Sequence, residues 1–326
     1  MGDWILAVEG TPAAPTLAVV LALVSALAHA GFGALQKASG DPWAIRAAID
    51  LSILTLSLPV ALLAVPAPDP TLWAVLAGVW VLHTGYKALQ TAAYVRGAYT
   101  VVYPVARGTA PVCTVLLAWA AFGETFTPGQ WAGVALLSLG IMGLGAANLR
   151  GRSLQPETLR PALLLALATG VSIAAYTTWD AWGIRLAADP FTFLAWFFVI
   201  DGWAMPLLWW RMRRKALGAP DGPRIEGLVQ PGPSAAPPAA LPAATGPLRP
   251  HLARAVAGAC IAFVSFGAVM LATRLDKVGE AVALRETSVI FAALIGALLL
   301  REPVGPLRFA LMLVIGAGAA LVEIAS

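Results

Sequence analysis

The chain has little charge for its length: Asp, Glu, Lys and Arg make up 12% of its 326 residues, whereas 59% are hydrophobic. So small a polar fraction cannot cover the surface of a water-soluble protein of this size. The mean hydropathy is +0.79, and the apolar runs are long and continuous, without the alternation of a membrane β-barrel. We therefore expect an all-α integral membrane protein.

Cysteines and catalytic motifs are also scarce. Cys113 and Cys260 lie in apolar runs without metal-ligand spacing, so we expect neither a disulfide nor a metal site. The sequence has no HExxH motif, no GxSxG motif and no glycine-rich nucleotide-binding loop, which disfavours an enzyme, a cofactor and ATP as energy source. The N-terminal MGDWILAVEG has no basic region, so we expect no cleaved signal peptide.

Ten apolar stretches are long enough to span a bilayer, and short breaks rich in Pro, Gly or Asp separate them. The predicted spans are 17–36, 44–65, 72–94, 101–122, 128–147, 161–184, 191–210, 252–274, 280–300 and 304–324. A tract rich in Pro, Ala and Gly at 211–250 follows a basic start, RMRRK, and is predicted to be a disordered loop.

Several residues in the first half of the chain recur as the same residue type in the second half at a constant spacing. Four pairs lie 178 positions apart: Arg107 and Arg285, Thr109 and Thr287, Glu124 and Glu302, Gly140 and Gly318. Asp41-Pro42 and Asp189-Pro190 form a further pair, and the 211–250 loop explains its shorter offset. We therefore predict two repeats, 1–150 and 151–326, of five spans each. An odd number of spans means that the second repeat enters the membrane from the opposite side, which gives an inverted repeat around a central cavity.

The distribution of basic residues predicts the orientation. Fifteen Lys and Arg lie in or beside the loops after odd-numbered spans, including Arg46, Arg254 and Arg308, and three lie on the other side. Nine against three remain when the 211–250 loop is set aside. The positive-inside rule then places both termini outside the cytoplasm. The net charge of +4 is explained in the same way, and we expect no binding to nucleic acid.

Segments 93–143 and 271–318 each contain a small-residue helix, a turn ending in Glu (Gly123-Glu124 and Arg301-Glu302) and a helix with a late Gly. In these features the chain resembles the EamA-type halves of the drug/metabolite transporter (DMT) superfamily. The resemblance implies a ten-helix carrier that works by alternating access, with both termini in the cytoplasm, contrary to the charge count. The four-helix multidrug relatives have an acidic residue in their first helix. Here the polar residue at mid-depth of that helix is His29, which disfavours export of lipophilic cations.

Ionisable side chains inside a span are costly unless they are paired or hydrated, so each is a functional candidate. His83, Lys87, Gln90 and Tyr94 fall on one face of the third span and are predicted to line a wet cavity with Ser25, His29 and Gln36 of the first and Tyr99 of the fourth. The predicted substrate-binding residues are His29, His83, Lys87, Tyr103, Arg107, Tyr176, Asp180 and Arg285. The predicted countercharges or proton carriers are Asp50, Asp201 and Glu286.

Arg107 and Arg285 are suited to bidentate recognition of a carboxylate, phosphate or phosphonate, and we expect them near opposite mouths of the cavity. A purely structural role in salt bridges is the alternative for both. His29 and His83 could relay a proton. Glu124 and Glu302, at the turns, are predicted to cap the helices that follow them or to pair with basic groups.

The sequence thus favours a secondary transporter of a small anionic or zwitterionic metabolite, such as an amino acid, an organic phosphate or a phosphonate. We expect it in a bacterial inner membrane, with protons as the candidate coupling ion. An intramembrane enzyme and a non-transporting scaffold are the alternatives, and both a monomer and a homodimer remain open.

Overall fold

The computed structural model describes residues 2–37, 42–96, 99–149, 156–218, 252–299 and 305–326. All regular secondary structure in these ranges is helical. The helices are α1 (Asp3–Val8), α2 (Ala14–Lys37), α3 (Pro42–Leu63), α4 (Pro70–Arg96), α5 (Tyr99–Phe122), α6 (Pro128–Leu149), α7 (Pro156–Leu186), α8 (Pro190–Gly202), α9 (Ala204–Gly218), α10 (Leu252–Leu275), α11 (Val278–Arg285), α12 (Ser288–Leu299) and α13 (Pro306–Ile324).

Six of these helices begin at a proline: α3, α4, α6, α7, α8 and α13. Proline suits the first helical position because its fixed φ fits the helix and its missing N–H would have no intrahelical partner there. Aspartate adds a cap at two of these starts. The Asp69 side chain accepts from the Leu72 N–H at 2.9 Å, and the Asp189 side chain accepts from the Phe191 N–H at 3.2 Å. Local chemistry therefore sets these boundaries.

Eight segments of the described chain are long and apolar enough to cross a membrane. They are Ala14–Phe32, Ala44–Leu63, Val102–Phe122, Pro128–Ala147, Arg160–Leu186, Pro190–Arg214, Leu252–Leu275 and Pro306–Ile324. Large apolar side chains on their outer faces are exposed, for example Leu63, Leu139 and Leu313. Such surfaces are stable in hydrocarbon and costly in water, so the fold is that of an integral membrane protein.

Two of the predicted spans are divided in the structure. The span predicted at 191–210 consists of α8 and α9, which are separated at Trp203. Pro206 explains this break, because its ring clashes with the carbonyl four residues back and it cannot donate a hydrogen bond. The span predicted at 280–300 consists of α11 and α12, and here the Thr287 hydroxyl donates to the Leu284 carbonyl at 2.6 Å. A side chain thus takes part in the turn where the helix is interrupted.

The prediction of a disordered loop at 211–250 is wrong for its first part. Helix α9 continues to Gly218, because Arg, Met, Lys, Ala and Leu are good helix formers. Arg213 and Arg214 also lie over the rings of Trp209 and Trp210, at 5.2 Å and 4.1 Å from the ring centroids. The rest of the predicted loop, 219–250, is outside the described residues.

Helices α6 and α13 run antiparallel and pack closely through glycine. A Cβ atom at Gly129 would lie 2.6 Å from Ala325 Cβ near the end of α13, and one at Gly143 would lie 2.7 Å from Leu311 Cδ2 near its start. Glycine lets two backbones approach in this way, as at other helix interfaces in membranes.

The polar residues lie among the other long helices. Helix α2 packs against α10, α11 and α12, and α7 packs against α4 and α5. Helix α3 packs against α8 and α10, and α4 also contacts α8. This arrangement brings the inward faces of α2, α3, α4, α5, α7, α8, α10 and α11 around one buried region.

Candidate functional site

The first part of the site joins α2, α5 and α11 through Arg107. The Arg107 Nη1 atom donates to Glu286 Oε1 at 2.9 Å, and its Nη2 atom contacts His29 Nε2. Both partners of the ion pair are deeply buried, with side-chain exposures of 5% for Arg107 and 1% for Glu286. The guanidinium also lies over the Tyr103 ring, 5.5 Å from its centroid. Four of the predicted site residues therefore lie in direct contact.

Arg285 reaches the same histidine from the other side. Its Nη2 atom lies 3.4 Å from His29 Nδ1, and its guanidinium lies over the Phe266 ring at 5.0 Å. The Arg285 Nε atom is buried and has no hydrogen-bond partner among the described residues. A buried guanidinium N–H without a protein partner is costly, so this group is suited to receive a ligand oxygen.

The second part of the site surrounds Lys87 on α4. Its ammonium lies 3.2 Å from Asp50 Oδ2 on α3 and 2.8 Å from Asp201 Oδ1 on α8. It also donates to the Asp201 backbone carbonyl at 3.3 Å, close to the interruption between α8 and α9. Asp50 in turn pairs with Arg46, one turn before it on α3, at 3.0 Å. The predicted countercharges Asp50 and Asp201 therefore share one lysine.

His83 connects this part to α7. Its Nε2 atom lies 2.9 Å from Asp180 Oδ2, and its Nδ1 atom lies 3.6 Å from Asp201 Oδ1. The imidazole also packs against the Tyr176 ring, with 4.4 Å between the centroids. Asp180 Oδ1 is buried and has no hydrogen-bond partner in the described part of the chain. One carboxylate oxygen therefore remains available.

A small cavity brings the two parts together. The described residues around it are Tyr176, Thr177, Asp180, Phe266, Val269, Met270, Thr273 and Arg285. Arg285 supplies a cation from one part, Asp180 supplies a carboxylate from the other, and Tyr176 and Phe266 supply aromatic rings. The cavity is small in this conformation, and it combines a cation, a carboxylate and two aromatic rings.

The site contains equal numbers of fixed charges. The cations are Arg46, Lys87, Arg107 and Arg285, and the carboxylates are Asp50, Asp180, Asp201 and Glu286. Taking a single charge out of water into a protein costs several kcal/mol even after relaxation. Close pairing reduces this cost, and it makes the site sensitive to any added charge.

The structure corrects one expectation about geometry. Arg107 and Arg285 do not lie near opposite mouths, because both contact the His29 ring. Helices α5 and α11 begin at Tyr99 and Val278, so each arginine lies roughly 10 to 12 Å along its helix at about 1.5 Å per residue. Two long side chains at these positions can both reach His29.

The polar face predicted on the third span is described in part. His83 and Lys87 are buried among charged partners, and the Gln90 side chain donates to the Tyr86 hydroxyl at 2.6 Å. Ser25 and Ser265 join α2 to α10, and the Ser25 hydroxyl donates to the Ser265 carbonyl at 2.6 Å. The side chains of Tyr94, Gln36 and Tyr99 are outside the described residues.

Two charged groups were not anticipated from the sequence. Arg46, which the charge count assigns to the loop cations, lies inside α3 and pairs with Asp50; its i, i+4 spacing from that acid was the available signal. Glu280 on α11 is 4% exposed, pairs with Lys277 at 2.8 Å and accepts from the Gln130 side chain on α6 at 2.5 Å. No local pattern connects Gln130 to Glu280, because the contact depends on the packing of distant helices.

Glu124 is a helix cap, as predicted, but for a different helix. Its Oε2 atom accepts from the Val278 N–H at 2.9 Å, so it caps α11 and not the following helix, α6. The Glu124 Oε1 atom lies 3.0 Å from Arg185 Nη2 on α7. The predicted equivalent, Glu302, is outside the described residues.

A larger groove lies away from these charges, between α1, α2, α3, α8 and α10. Its described lining includes Trp4, Leu56, Phe198 and Phe263 and no ionisable side chain. Such a lining is suited to hydrocarbon. Within the described ranges, no cluster of His, Cys, Asp and Glu could hold a metal ion, and Cys113 and Cys260 are free.

Comparison with known proteins finds a family that the first half of the chain resembles. Residues 16–146 match the model of the EamA-like transporter family. No curated protein matches the chain. One solved structure, titled only "Crystal structure of protein", is similar over 94% of this chain and 95% of its own, with a TM-score of 0.63 and 19% sequence identity. At that identity the likeness concerns the fold alone. The family match confirms the resemblance seen in the sequence: over residues 16–146 the chain is similar to the EamA-like transporter family, part of the drug/metabolite transporter superfamily, and this similarity suggests a membrane transporter of small molecules.

Proposed function

We propose that the protein is a secondary transporter of a small anionic or zwitterionic metabolite and that it works by alternating access in a bacterial inner membrane. One observation carries the proposal: Arg107 and Arg285, which occupy equivalent positions in the two sequence repeats, meet at His29 inside a buried ionic cluster. Buried charge at the junction between two repeats is where a carrier of this type binds its substrate.

The proposal includes two inverted repeats, 1–150 and 151–326, with five membrane helices each. Eight spans meet the criteria of length and composition, and α4 and the pair α11–α12 would complete the ten. Helix α4 has 27 residues, enough to cross a bilayer, and is less apolar because it contains His83, Lys87 and Gln90, of which His83 and Lys87 are buried. Helices α11 and α12 together would form the remaining span, which is divided into two helices.

Reciprocal contacts between α6 and α13 support the inverted arrangement. A Cβ atom at Gly318 would meet Gly133 and Leu137, whereas one at Gly140 would meet Leu311 and Ile315. A shift of 178 positions turns Gly133 into Leu311, Leu137 into Ile315 and Gly140 into Gly318, so the two sets of contacts are equivalent. Because the two helices are antiparallel, the operation that relates them is a two-fold rotation about an axis perpendicular to both helices, in the plane of the membrane.

The packing of the other helices follows the same exchange. The repeats pair α2 with α7, α3 with α8–α9, α4 with α10 and α5 with α11–α12. Helix α2 packs against α10, and correspondingly α7 packs against α4; α2 packs against α11 and α12, and correspondingly α7 packs against α5. These contacts on one side of the site therefore have counterparts on the other.

The charges in the cavity favour the substrate class. Arg285 offers a buried N–H without a protein partner among the described residues, which suits a carboxylate, phosphate or phosphonate oxygen. Asp180 offers the free oxygen Oδ1 to the same cavity, which suits an ammonium group. An anion would use the first group, and a zwitterion would use both. The rings of Tyr176 and Phe266 would contact the apolar part of either substrate.

Alternating access requires one side of the site to be closed, and a network at the ends of α7, α10 and α11 supplies such a closure. Arg185 donates to the Glu124 carboxylate at 3.0 Å, to the Thr273 carbonyl at 2.8 Å and to the Asp276 carbonyl at 2.8 Å. This residue thus joins the α5–α6 turn of the first repeat to two helices of the second. Opening on this side would separate these contacts.

Uptake into proteoliposomes tests the proposal. A panel of labelled amino acids, carboxylates, organic phosphates and phosphonates should contain at least one compound that shows counterflow. Arg107→Ala and Arg285→Ala should each abolish that counterflow, because an anion would lose its bidentate partner. Arg160→Ala is the matched control, since this arginine is exposed on α7. Normal transport in both site variants would refute the anion assignment, and no counterflow of any compound would refute the carrier.

A further inference from the structure

Six ionisable side chains form an uninterrupted series from one end of α3 to the cavity. Successive charged atoms are 3.0 Å apart from Arg46 to Asp50, 3.2 Å from Asp50 to Lys87 and 2.8 Å from Lys87 to Asp201. The series continues over 3.6 Å from Asp201 to His83 and 2.9 Å from His83 to Asp180. Arg46 is the most exposed member, with 24% of its side chain accessible, and Asp180 faces the cavity.

His83 differs from the other members of this series because each of its two ring nitrogens faces a different carboxylate. Nε2 faces Asp180, and Nδ1 faces Asp201. An imidazole can hold a proton on either nitrogen or on both, and each nitrogen of His83 has a carboxylate within reach. Asp180 has the additional oxygen Oδ1, which no described residue engages by a hydrogen bond. The pair therefore has two places for one extra proton.

We propose that the His83–Asp180 pair is a proton-binding site and that one proton bound there is carried together with one substrate anion bound at Arg285. This inference rests on the proposed function and assigns its coupling ion. In the binding step a hydronium ion gives its proton to Asp180 Oδ1 or to the imidazole and becomes water. Release on the other side of the membrane is the reverse transfer, and no bond between heavy atoms changes.

Charge balance couples the proton to the anion. With both histidines neutral, the four cations and four carboxylates of the site sum to zero. A bound monoanion alone would leave one net negative charge in the protein interior, and a bound proton alone would leave one net positive charge. Both together restore neutrality, so the doubly loaded site avoids the cost of an uncompensated buried charge. A zwitterion would not require the proton.

The environment of the pair involves several helices. The titratable and charged groups around it are Tyr176 on α7, Asp201 on α8, Lys87 and Tyr86 on α4, Asp50 and Arg46 on α3, and Arg285 on α11. Lys87 is connected to the pair through Asp201, and Arg285 faces Asp180 across the cavity. We therefore expect a change in pH to add or remove one proton shared by His83 and Asp180.

The first test requires no substrate. Infrared difference spectra of the purified protein between about pH 8 and pH 5 should show protonation of a carboxylate or of an imidazole. This signal should be lost in Asp180→Asn and His83→Gln, and the control Glu9→Gln, at an exposed partner of Arg274, should keep it. Spectra in which neither group changes protonation would overturn the proposal, whatever the result of the transport assays.

The second test uses benzenesulfonate, which remains a monoanion at every pH used, crosses lipid poorly and has a ring for Tyr176 and Phe266. For a one-to-one symport, an inward gradient of one pH unit should support up to about tenfold accumulation in proteoliposomes. Asp180→Asn should lose the dependence of accumulation on the pH gradient, whereas the control Glu9→Gln, at an exposed partner of Arg274, should keep it. Both variants should first elute as monodisperse protein, and His83→Gln provides the answer if Asp180→Asn does not fold.

The outcomes separate this inference from the function on which it rests. If benzenesulfonate enters at a rate independent of the pH gradient and no proton is taken up with it, the proposed coupling is wrong but the proposed carrier function still holds. If no anion of the wider panel is transported and the infrared signal is present, the carrier fails and the proton-binding site stands. Gradient-driven accumulation that is lost in Asp180→Asn supports both.

Discussion

The backbones of Gly133 and Gly318 lie in mutual contact. A Cβ atom on Gly318 would lie 2.7 Å from the Gly133 carbonyl oxygen, and a Cβ atom on Gly133 would lie 2.7 Å from the Gly318 carbonyl oxygen. The atoms in the way are backbone atoms, which cannot turn aside as a flexible side chain would. This contact holds α6 against α13 across the proposed two-fold axis.

Substitution at this contact should weaken the packing of α6 and α13. Gly318→Ala forces two backbones apart, so we expect a loss of about 1–3 kcal/mol and a lower melting temperature. Gly316→Ala is the control on the same helix, because its Cβ would only reach Ile290 Cδ1 at 3.6 Å, an ordinary contact. Thermal unfolding of the detergent-solubilised proteins measures the difference. Equal melting temperatures for the two variants would contradict the close approach.

The ion pair between Arg107 and Glu286 should separate folding from transport. Arg107→Met leaves a carboxylate with 1% exposure without its cation, so we expect a loss of roughly 3–5 kcal/mol. The double variant Arg107→Met with Glu286→Gln removes both charges and should recover much of this loss. Thermal unfolding tests the recovery, and counterflow should remain absent in both variants. Restored transport in the double variant would show that the pair only supports the fold.

The carboxylate of Glu124 should act both as a cap of α11 and as a partner of Arg185. Glu124→Gln retains an oxygen that can accept from the Val278 N–H but loses the charge, whereas Glu124→Ala loses both. We therefore expect stability to fall in the order wild type, Gln, Ala, with about 0.5–2 kcal/mol for the lost cap. Glu9→Ala is the control, because this acid is 37% exposed where it pairs with Arg274. A Gln variant as unstable as the Ala variant would argue against the cap.

The orientation predicted from basic residues has a direct test. Alkaline phosphatase is active only outside the cytoplasm, so a fusion at residue 230 should be inactive and a fusion after Ser326 should be active. The family resemblance implies a cytoplasmic C-terminus, so the same two fusions distinguish the expectations. An active fusion at residue 230 would reverse the predicted topology and leave the geometry of the site unchanged.

The sequence was sufficient to predict helices, burial and family, and insufficient to predict partners. Hydropathy and proline positions predict where most helices begin, because these signals are local. His83 and Lys87 were placed on an inward face from their spacing alone. The meeting of Arg107 and Arg285 at His29 was not predicted, since it depends on how far two long side chains extend from helices of different repeats. The bond from Gln130 to Glu280 was missed for the same reason.

Interruptions in the helices have a mechanical consequence. In the second repeat, one break falls at Trp203 beside Asp201, and another falls between Arg285 and Ser288. The matching helices of the first repeat, α3 and α5, run unbroken through their described lengths. Each of these breaks lies next to a charged side chain of the cluster, so we expect a change of backbone angles at a break to move that side chain relative to its partners. The two proposed repeats would thereby differ in the positions at which their helices are interrupted, although their sequences correspond.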